Sequence, residues 1–514
     1  MKKTIPFCLT LFTLICQAQS FEWFKTPPIA FDANPTLIGY PNTVDPFDHV
    51  YVAGYQDHKY LYGTVFGHLF LTKYTANGNL LFSKTIEGHA QVYNIKSDSQ
   101  GNILMLVGYV ETITIGSLTL STLQQGIQPL LLKFDADGNL LWHLALNTID
   151  PFIEHAEALV IDADTNNCYI AFDNYDDVYI QKIAPDGTIL STINQAHTRL
   201  TSLAIDTEKN IYGAGACASS NSTYAGVNAP TNLFYNTYIV KYNATGQYQW
   251  VKYVEDLTCP APMVVARTPD EVYFCSYLFG AFAFGDLTAE GPDSNSFGDF
   301  FLTKLNANGE FQWVREVPGN GFGAVSLGNR NFLALDNTGK IYVGGATSRT
   351  INWGNSILSD IPGNSDDAAI LQYDSDGTIQ QVITGGGTWD DRVDGISVDS
   401  NGAIYASGMG YGDTNFGQFA YSAPSYFPYL TKINNTLKSN SNVKDQSLLY
   451  PNPAKDQLYF HNINSGKGII YNMLGQAVMH FAVPSNAPIE ISTLPSGTYM
   501  VTLDGFKTQK LIKE

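Results

Sequence analysis

The sequence predicts an all-β protein, a seven-bladed β-propeller followed by a small C-terminal β-sandwich. A strand–turn–strand pattern recurs roughly every sixty residues, a period typical of repeat folds. Charged residues form only 15% of the chain, whereas Gly, Tyr and Phe number 45, 31 and 29. This composition suits many short strands joined by glycine-bearing turns. Long patterns with apolar residues at helical spacing are absent from the sequence.

The first recurring pattern is an apolar strand, a lysine, a short polar turn with glycine, and a second apolar strand. LFLTKYTANGNLLFSK and PLLLKFDADGNLLWHL are two copies of it. In six copies glycine follows five residues after the lysine position, as tight hairpin turns require. The lysine positions of the seven copies are Lys73, Lys133, Lys182, Lys241, Lys304, Gln372 and Lys432.

A second pattern alternates with the first and supplies the other half of each unit. Together the two patterns predict four antiparallel strands, A to D, in which strand A ends at an aspartate and a tight turn leads to strand B. Seven such units predict a propeller, because radial stacking of four-stranded sheets protects most sheet edges. The residues at the end of strand A are Asp45, Asp98, Asp162, Asp206, Thr268, Asp336 and Asp399.

The seventh unit lacks a strand D, because Lys432 is followed by the polar stretch NNTLKSNSN. The segment SFEWFKTPP near the N-terminus is an unattached copy of that strand, with Trp23 matching Trp142, Trp250 and Trp313. We predict that residues 21–26 complete the last blade. The ring then closes without a free edge.

The units resemble the bacterial β-propeller repeats known as SBBP. Residues 98–102 and 133–139 match that pattern best, whereas the third and fifth units depart from it. The resemblance covers residues 21–440. It implies the propeller fold and implies no particular chemistry.

After a polar linker at residues 441–447, the sequence changes character. Residues 448–514 open with Tyr450-Pro451-Asn452-Pro453 and close on a strand that contains Lys510. They resemble the type IX secretion sorting domain (type A), a small β-sandwich at the end of exported proteins. An ordinary immunoglobulin-like module would not account for all the matching elements. The resemblance implies that the type IX machinery is a partner and that the protein is released or kept at the cell surface. The matching residues are Tyr450, Pro451, Asn452, Pro453, Gly475, Gly497, Tyr499 and Lys510.

Residues 1–20, MKKTIPFCLTLFTLICQAQS, predict a secretory signal peptide. Ile15 stands where a lipobox needs a small residue, so Cys16 is not predicted to carry lipid. No other run approaches the roughly 20 apolar residues of a membrane span. The net charge of −19 disfavours nucleic acid and anionic membranes as partners. We expect a monomer.

Export permits disulfides, and four cysteines remain once the signal peptide is removed. Cys217, Cys259 and Cys275 are close enough in sequence for one bridge among them. Cys168 lies in an apolar strand pattern and is predicted to be buried. The sequence leaves the pairing open.

The standard catalytic signatures G-x-S-x-G, H-E-x-x-H and G-x-x-x-x-G-K-[ST] are missing from the sequence. We therefore predict no catalytic residue, no cofactor and no metal. The A–B and C–D turns are short and uniform, whereas the D–A and B–C connections are long and variable. We expect any ligand on the D–A/B–C face, since binding residues tend to lie on variable loops of a rigid scaffold.

Three D–A connections carry a histidine just ahead of strand A, and the connection from the sixth to the seventh unit carries an aromatic and acidic run. Equivalent positions converge at the mouth of the central channel, so one interpretation is a metal or anion site. The other is a set of polar loop residues beside a wet channel. The predicted ligand-binding residues are His89, His155, His197, Trp389, Asp390 and Asp391.

The B–C connections carry aromatic segments of a shared shape, such as INWGNSIL and TNFGQFAY. They predict short hairpin extensions whose aromatic rings pack between blades, or alternatively exposed platforms for sugars. The sequence as a whole predicts a secreted or cell-surface binding protein for a glycan or a protein. The alternative is a secreted propeller enzyme, a hydrolase or lyase acting on polysaccharide, which the missing motifs disfavour.

Overall fold

The structure is a computed structural model. The residues that it describes form strands, turns and loops, which confirms the predicted all-β class. The predicted signal peptide, apart from Ser20, and the linker 441–447 lie outside these residues. The chain forms two compact units, Met1–Thr436 and Leu437–Glu514. The described residues are 20–29, 39–61, 64–122, 126–146, 155–174, 176–217, 220–228, 235–257, 259, 261–292, 298–318, 325–361, 365–434, 449–460, 466–472, 476–483, 488–503 and 509–514.

The strands of the first unit follow one another in chain order. Up to residue 205 they are β1 (Ser20–Lys25), β2 (Asn42–Val44), β3 (Val50–Leu61), β4 (Thr64–Tyr74), β5 (Leu80–Ser97), β6 (Ile103–Ile115), β7 (Leu118–Ser121), β8 (Gln128–Phe134), β9 (Leu140–Ala145), β10 (His155–Ile161), β11 (Cys168–Asp173), β12 (Asp177–Ile183), β13 (Ile189–Ala196) and β14 (Arg199–Ile205). The next are β15 (Ile211–Cys217), β16 (Thr223–Tyr224), β17 (Val227–Asn228), β18 (Asn236–Tyr242), β19 (Tyr248–Glu255), β20 (Met263–Ala266), β21 (Val272–Tyr277), β22 (Ala281–Phe284), β23 (Leu287–Glu290), β24 (Phe300–Leu305) and β25 (Phe311–Arg315). The last are β26 (Val325–Leu327), β27 (Leu333–Leu335), β28 (Ile341–Thr347), β29 (Arg349–Gly354), β30 (Ile357–Ile361), β31 (Asp367–Tyr373), β32 (Ile379–Gly387), β33 (Arg392–Val398), β34 (Ile404–Phe416) and β35 (Phe419–Asn434).

Pairing groups these strands into seven four-stranded antiparallel sheets, each in the order A–B–C–D. The first sheet contains β2, β3, β4 and the start of β5; the second contains the rest of β5 with β6, β8 and β9. The next three are β10 to β13, then β14, β15, β18 and β19, then β20, β21, β24 and β25. The sixth joins β26 and β27 to β28, β31 and β32, and the seventh joins β33, β34, β35 and β1.

The innermost strands of these sheets form a closed ring. β2, β5, β10, β14, β20, β27 and β33 each contact the next, and β33 contacts β2. The sheets are therefore the blades of a β-propeller. Burial follows position in the blade: β28 is buried along its whole length, whereas the outermost strand β9 alternates between half-buried and exposed residues.

The repeated aspartate at the end of strand A builds the A–B turn. In the sixth blade, Oδ1 of Asp336 accepts hydrogen bonds from the backbone amides of Thr338 and Lys340, at 2.8 and 3.0 Å. Its Oδ2 accepts a 3.0 Å bond from the hydroxyl of Tyr342 in strand B. Asp206 and Tyr212 repeat this bond at 2.8 Å. The repeated Asp and Tyr are therefore structural.

The repeated lysine and tryptophan join one blade to the next. Nζ of Lys241 and Nε1 of Trp250 both donate to the backbone carbonyl of Ala307 in the C–D turn of the following blade, at 3.4 and 3.0 Å. A Cβ added to Gly309 of that turn would stand 2.8 Å from the Trp250 ring, and the φ of Gly309 is +76°. Only glycine fits both requirements. We call this arrangement the lysine–tryptophan contact.

The lysine–tryptophan contact recurs at four blade junctions, which we call tryptophan junctions. In each pair the two side chains donate to one carbonyl at 2.9–3.4 Å. The acceptors show which turn each pair reaches. They are Pro185 for Lys133 and Trp142, Ala307 for Lys241 and Trp250, Ser375 for Lys304 and Trp313, and Ala76 for Lys432 and Trp23.

The N-terminal strand β1 completes the seventh blade, as predicted. β1 pairs with β35, and Trp23 lies opposite Lys432. Trp142, Trp250 and Trp313 lie opposite the equivalent lysines of their own blades. The strand begins at Ser20, one residue earlier than predicted.

The other three junctions use backbone pairing instead of tryptophan, and we call them hairpin junctions. Phe82, Ser191 and Gln381 stand opposite the lysine position there. At each, a B–C hairpin of the following blade pairs with the end of the preceding strand D through two residue pairs. These are Glu87↔Thr114 and Gly88↔Ile113, Gln195↔Tyr224 and Ala196↔Thr223, and Gly386↔Asn415 and Gly387↔Thr414.

The C-terminal unit has two sheets, one of three strands and one of four, in the orders β36–β37–β40 and β39–β38–β41–β42. They share one core that includes Leu458, Ile470, Ile491 and Leu511. The strands are β36 (Leu449–Tyr450), β37 (Gln457–Phe460), β38 (Gly466–Asn472), β39 (Ala477–Val483), β40 (Ile489–Glu490), β41 (Gly497–Leu503) and β42 (Gln509–Lys513).

The cysteines differ from expectation in one respect. Cys217, Cys259 and Cys275 are buried free thiols, so the bridge anticipated among them is not formed. Sγ of Cys259 instead donates to the carbonyl of Tyr277 at 3.0 Å. Cys168 is buried as predicted, and burial raises the pKa of its thiol to about 12.

Replacing Trp23 with alanine should destabilise the propeller, because it removes a buried ring and the donor to Ala76 at the junction that closes the ring. We expect a loss of about 3–5 kcal/mol, measured by urea unfolding of the full chain. Trp23→Phe should lose about 1 kcal/mol, since it removes the donor but keeps a ring. Trp250→Ala is the matched control in mid-chain and should cost as much as Trp23→Ala. Unchanged stability in Trp23→Ala would contradict closure by this strand.

Candidate functional site

The B–C connections do form hairpin extensions, and four of their aromatic rings are buried. Phe66, Phe284, Trp353 and Phe416 lie in the interior of the propeller. Their rings pack against neighbouring strands and therefore cannot form exposed sugar platforms. Tyr60 at the first hairpin differs, with 70% of its surface exposed.

The three predicted histidines each contact a different acidic residue. Nδ1 of His89 lies 2.9 Å from Glu111. His197 lies 2.6 Å from Asp176, and His155 lies 3.5 Å from Asp173. In the part of the chain that the structure describes, no three His, Cys, Asp or Glu side chains are grouped to hold a metal ion. The three histidines are therefore not grouped to hold one metal ion together.

The predicted run Trp389, Asp390 and Asp391 lies at the hairpin junction between the sixth and seventh blades. Trp389 is 57% exposed. Its ring and that of Tyr411 pack edge to face, with ring centroids 5.4 Å apart. Tyr411 in turn packs against Tyr426 at 4.4 Å. We call Trp389, Tyr411 and Tyr426 the aromatic patch.

The backbone of the adjoining hairpin accommodates the indole of Trp389. A Cβ added to Gly412 would stand 2.8 Å from Cδ1 of Trp389, and the φ of Gly412 is +66°. Both features require glycine. Gly412 therefore allows the indole to lie against the hairpin.

Two hydrogen bonds hold the acidic residues of this junction to the sixth blade. Oδ1 of Asp390 accepts a 3.1 Å bond from the amide of Asp366, and the amide of Asp391 donates to the carbonyl of Asp366 at 2.7 Å. Asp390 is exposed, whereas Asp391 is 1% exposed. The junction therefore presents one carboxylate to solvent and encloses another.

The acidic residues alter one another's protonation. Burial raises the pKa of Asp391 to about 8, the charges of Asp367 and Asp390 add to the rise, and the backbone amides of Tyr411 and Gly387 oppose it. Burial and the charge of Asp366 raise the pKa of Asp367 to about 6. Burial, and then the charge of Asp390, raise the pKa of Tyr426. Asp390 therefore acts on the aromatic patch as well as on its acidic neighbours.

Sequence reasoning missed Asp366, Asp367, Tyr411 and Tyr426. Asp366 and Asp367 immediately precede the sixth copy of the lysine pattern, which is the only signal the sequence offers for them. The two tyrosines lie opposite one another in the extension of β34 and β35. Their position beside Trp389 depends on how two blades meet.

The central channel contains a cavity of about 360 Å³ lined by the innermost strands. Thr43, Lys96, Glu157, Arg330 and Ser397 are among its polar lining residues. Burial lowers the pKa of the Lys96 ammonium. Asp391 and the aromatic patch do not line this cavity.

Residues 448–514 match the family described as "Secretion system C-terminal sorting domain". The chain thus carries a type IX sorting domain, which directs an exported protein to secretion or to the cell surface. In this domain Asn452 accepts from the amide of Ile512 at 2.9 Å and donates to the carbonyl of Lys510 at 2.8 Å. The hydroxyl of Tyr499 donates to the carbonyl of Pro495 at 2.7 Å. Gly475 lies outside the described residues.

Solved structures similar to this chain include propellers of low sequence identity. The Dos1 propeller matches with 8% identity and a TM-score of 0.40, over 80% of this chain and 96% of that one. Hydrazine synthase of Kuenenia stuttgartiensis matches with 9% identity and a TM-score of 0.44, over 77% and 98%. A protein of unknown function from Bacteroides caccae matches with 11% identity and a TM-score of 0.32, over 65% and 98%.

No curated protein matches the chain. Among the residues that the structure describes, no helix has the length and hydropathy needed to cross a membrane.

Replacing Lys96 with methionine should stabilise the full chain at pH 7, because a charge held in the channel disfavours the folded state. The lowered pKa of Lys96 means that wild-type stability rises with pH between its folded and its unfolded pKa. The advantage of Lys96→Met should therefore shrink as the pH approaches roughly 10.4. Melting temperatures across pH 7–10 measure this, with the exposed Lys59→Met as control. A stability advantage of Lys96→Met over the wild type that grows with pH would contradict the lowered pKa of Lys96.

Proposed function

We propose that this protein is an exported carbohydrate-binding propeller whose ligand engages the aromatic patch and Asp390. The exposure of Trp389, with 57% of its surface open to solvent, is the observation that carries the proposal. The ring of Trp389 adjoins the rings of Tyr411 and Tyr426, and contiguous apolar patches of this kind are typical of binding surfaces, whereas Tyr60 is a single exposed ring. Hydroxyl and carboxylate groups border this ring, which suits a ligand with both apolar faces and hydroxyl groups.

Neighbouring backbone groups support the aromatic patch and Asp390, so we expect them to change little in conformation when a ligand binds. Trp389 lies against Gly412, and Asp390 is held by the amide of Asp366. Rigid aromatic side chains lose little conformational entropy on binding. Of the residues singled out by sequence, Trp389, Asp390 and Asp391 therefore support the proposal best. The histidines contact acidic residues elsewhere on the propeller and are not included in it.

We also propose the route by which the protein reaches its ligand. Residues 1–20 would direct it across the inner membrane as a signal peptide, and the type IX machinery would then act on residues 448–514. A propeller of SBBP-like repeats, covering residues 21–440, would be the cargo. The aromatic patch would thus meet polysaccharides or glycoproteins outside the cell.

Replacing Trp389 with alanine should weaken glycan binding about tenfold, which corresponds to the loss of one aromatic contact. The ligand is first identified with the purified full chain on a glycan array, and affinity is then measured by isothermal titration calorimetry. Stability should change little, because the side chain is mostly exposed.

Tyr60→Ala is the matched control, since Tyr60 is an exposed aromatic residue on another hairpin. It should bind the glycan as wild type does. Equal affinity in Trp389→Ala would contradict the proposed site. Cleavage of the glycan during the titration would favour the polysaccharide-degrading enzyme instead.

Deleting residues 448–514 should stop export across the outer membrane, because the sorting domain is lost. We expect the shortened protein to accumulate in the periplasm of a host with type IX secretion, which cell fractionation and immunoblotting measure. Tyr60→Ala in the full chain should be exported normally. Undiminished export of the shortened protein would contradict this route.

A further inference from the structure

Three buried oxygen atoms at the junction of the sixth and seventh blades have no hydrogen-bond partner among the described residues. They are Oδ1 of Asp367, Oδ2 of Asp391 and Oγ1 of Thr347. Thr347 is fully buried and Asp391 almost so. Buried oxygen atoms normally have partners, because losing hydration without replacement costs free energy.

The three oxygen atoms belong to side chains that lie close together. A Cβ added to Gly386 would stand 2.6 Å from Oδ1 of Asp367 and 2.9 Å from Oδ2 of Asp391, so the two carboxylates flank the same small space. Thr347 lies directly opposite Asp367 in the pairing of β28 with β31. Residues opposite one another in a sheet share a face. The hydroxyl of Thr347 therefore lies on the same face of the sheet as Asp367.

When both carboxylates of this space are ionised, their charge is unbalanced. In the described part of the chain, neither Asp367 nor Asp391 forms an ion pair, and the nearby Arg392 bonds to Asp394 at 2.7 Å. Asp390 adds further negative charge, whereas Asp366 lies near the positive charge of Arg349. A water molecule would satisfy hydrogen bonds but would bring no positive charge. A small cation would coordinate the oxygen atoms directly and would also bring positive charge.

We propose that Asp367, Asp391 and Thr347 bind a calcium ion at this junction. Calcium prefers carboxylate, hydroxyl and carbonyl oxygens, and it accepts varied geometries. Two carboxylates and one hydroxyl supply part of its shell, and water completes the rest. A calcium site with only two charged ligands is weak. We therefore expect a Kd of about 10⁻⁴–10⁻³ M, in the range of extracellular modules.

The ion would join two blades where the lysine–tryptophan contact is missing. Gln372 and Gln381 replace lysine and tryptophan in the sixth blade, and they bond to each other. Calcium would link β31 of that blade to the connection that enters the seventh blade. Asp391 immediately follows Trp389 and Asp390, so the ion would also hold the aromatic patch in place.

The test is a calcium titration of the full chain after treatment with a chelator, without any glycan. The melting temperature should rise by about 3 °C at a calcium concentration a hundredfold above the Kd. Asp391→Asn should lower the affinity at least tenfold, because it removes one charged ligand while keeping the shape. Thr347→Val removes only the hydroxyl and should lower the affinity several-fold. Isothermal titration calorimetry gives the affinities.

Asp299→Asn is the matched control. Asp299 is a buried carboxylate just ahead of strand C in the fifth blade, but its Oδ1 accepts bonds from Phe300 and Val317 at 2.6 and 3.1 Å. This variant should keep the full calcium response. No response in the wild type, or equal responses in the wild type and Asp391→Asn, would overturn the proposal. Because no glycan is present, failure here is separate from failure of carbohydrate binding.

Discussion

Four blade junctions of the propeller depend on satisfying one backbone carbonyl in the C–D turn of the neighbouring blade. At the tryptophan junctions, lysine and indole donors converge on that carbonyl, and the turn glycine makes room for the ring. The same contact explains why lysine, glycine and tryptophan recur at fixed spacing. It also explains why the last blade takes its outer strand from the N-terminus, since Trp23 supplies the donor that the C-terminal end of the propeller lacks.

Hairpin junctions join the blades in a different way, by backbone pairing at the end of strand D. There the following blade pairs through its B–C hairpin with the preceding strand D, so no tryptophan is needed. His89, His197 and Trp389 all lie at hairpin junctions, just after the paired residues.

Most of the fold could be predicted from the sequence because its determinants are local. The spacing from Lys73 to Gly78 specifies a strand and its turn within a few residues, and Trp23 matches its counterparts by flanking pattern alone. The candidate site is different, because it depends on contacts between blades. Asp367 and Asp391 meet only because strand C of one blade faces the connection into the next, a relation that no spacing encodes.

The histidines are a case in which regular spacing in the sequence predicted a contact that the structure does not show. Their regular spacing ahead of strand A suggested convergence at the channel, but each imidazole lies near a different acidic residue, as His89 lies near Glu111. Burial also differs between aromatic residues that the sequence does not distinguish. Trp353 of a B–C hairpin is buried, whereas Trp389, in the connection after strand D, is exposed.

The central claim is that the chemistry of this propeller lies at the junction of the sixth and seventh blades and not in the channel. Hydrogen–deuterium exchange of the full chain, with and without calcium, tests it most directly. The account predicts slower exchange in peptides covering residues 365–368 and 386–391, with the tryptophan junctions and the channel strands unchanged. Protection confined to the channel strands, or no change anywhere, would contradict it.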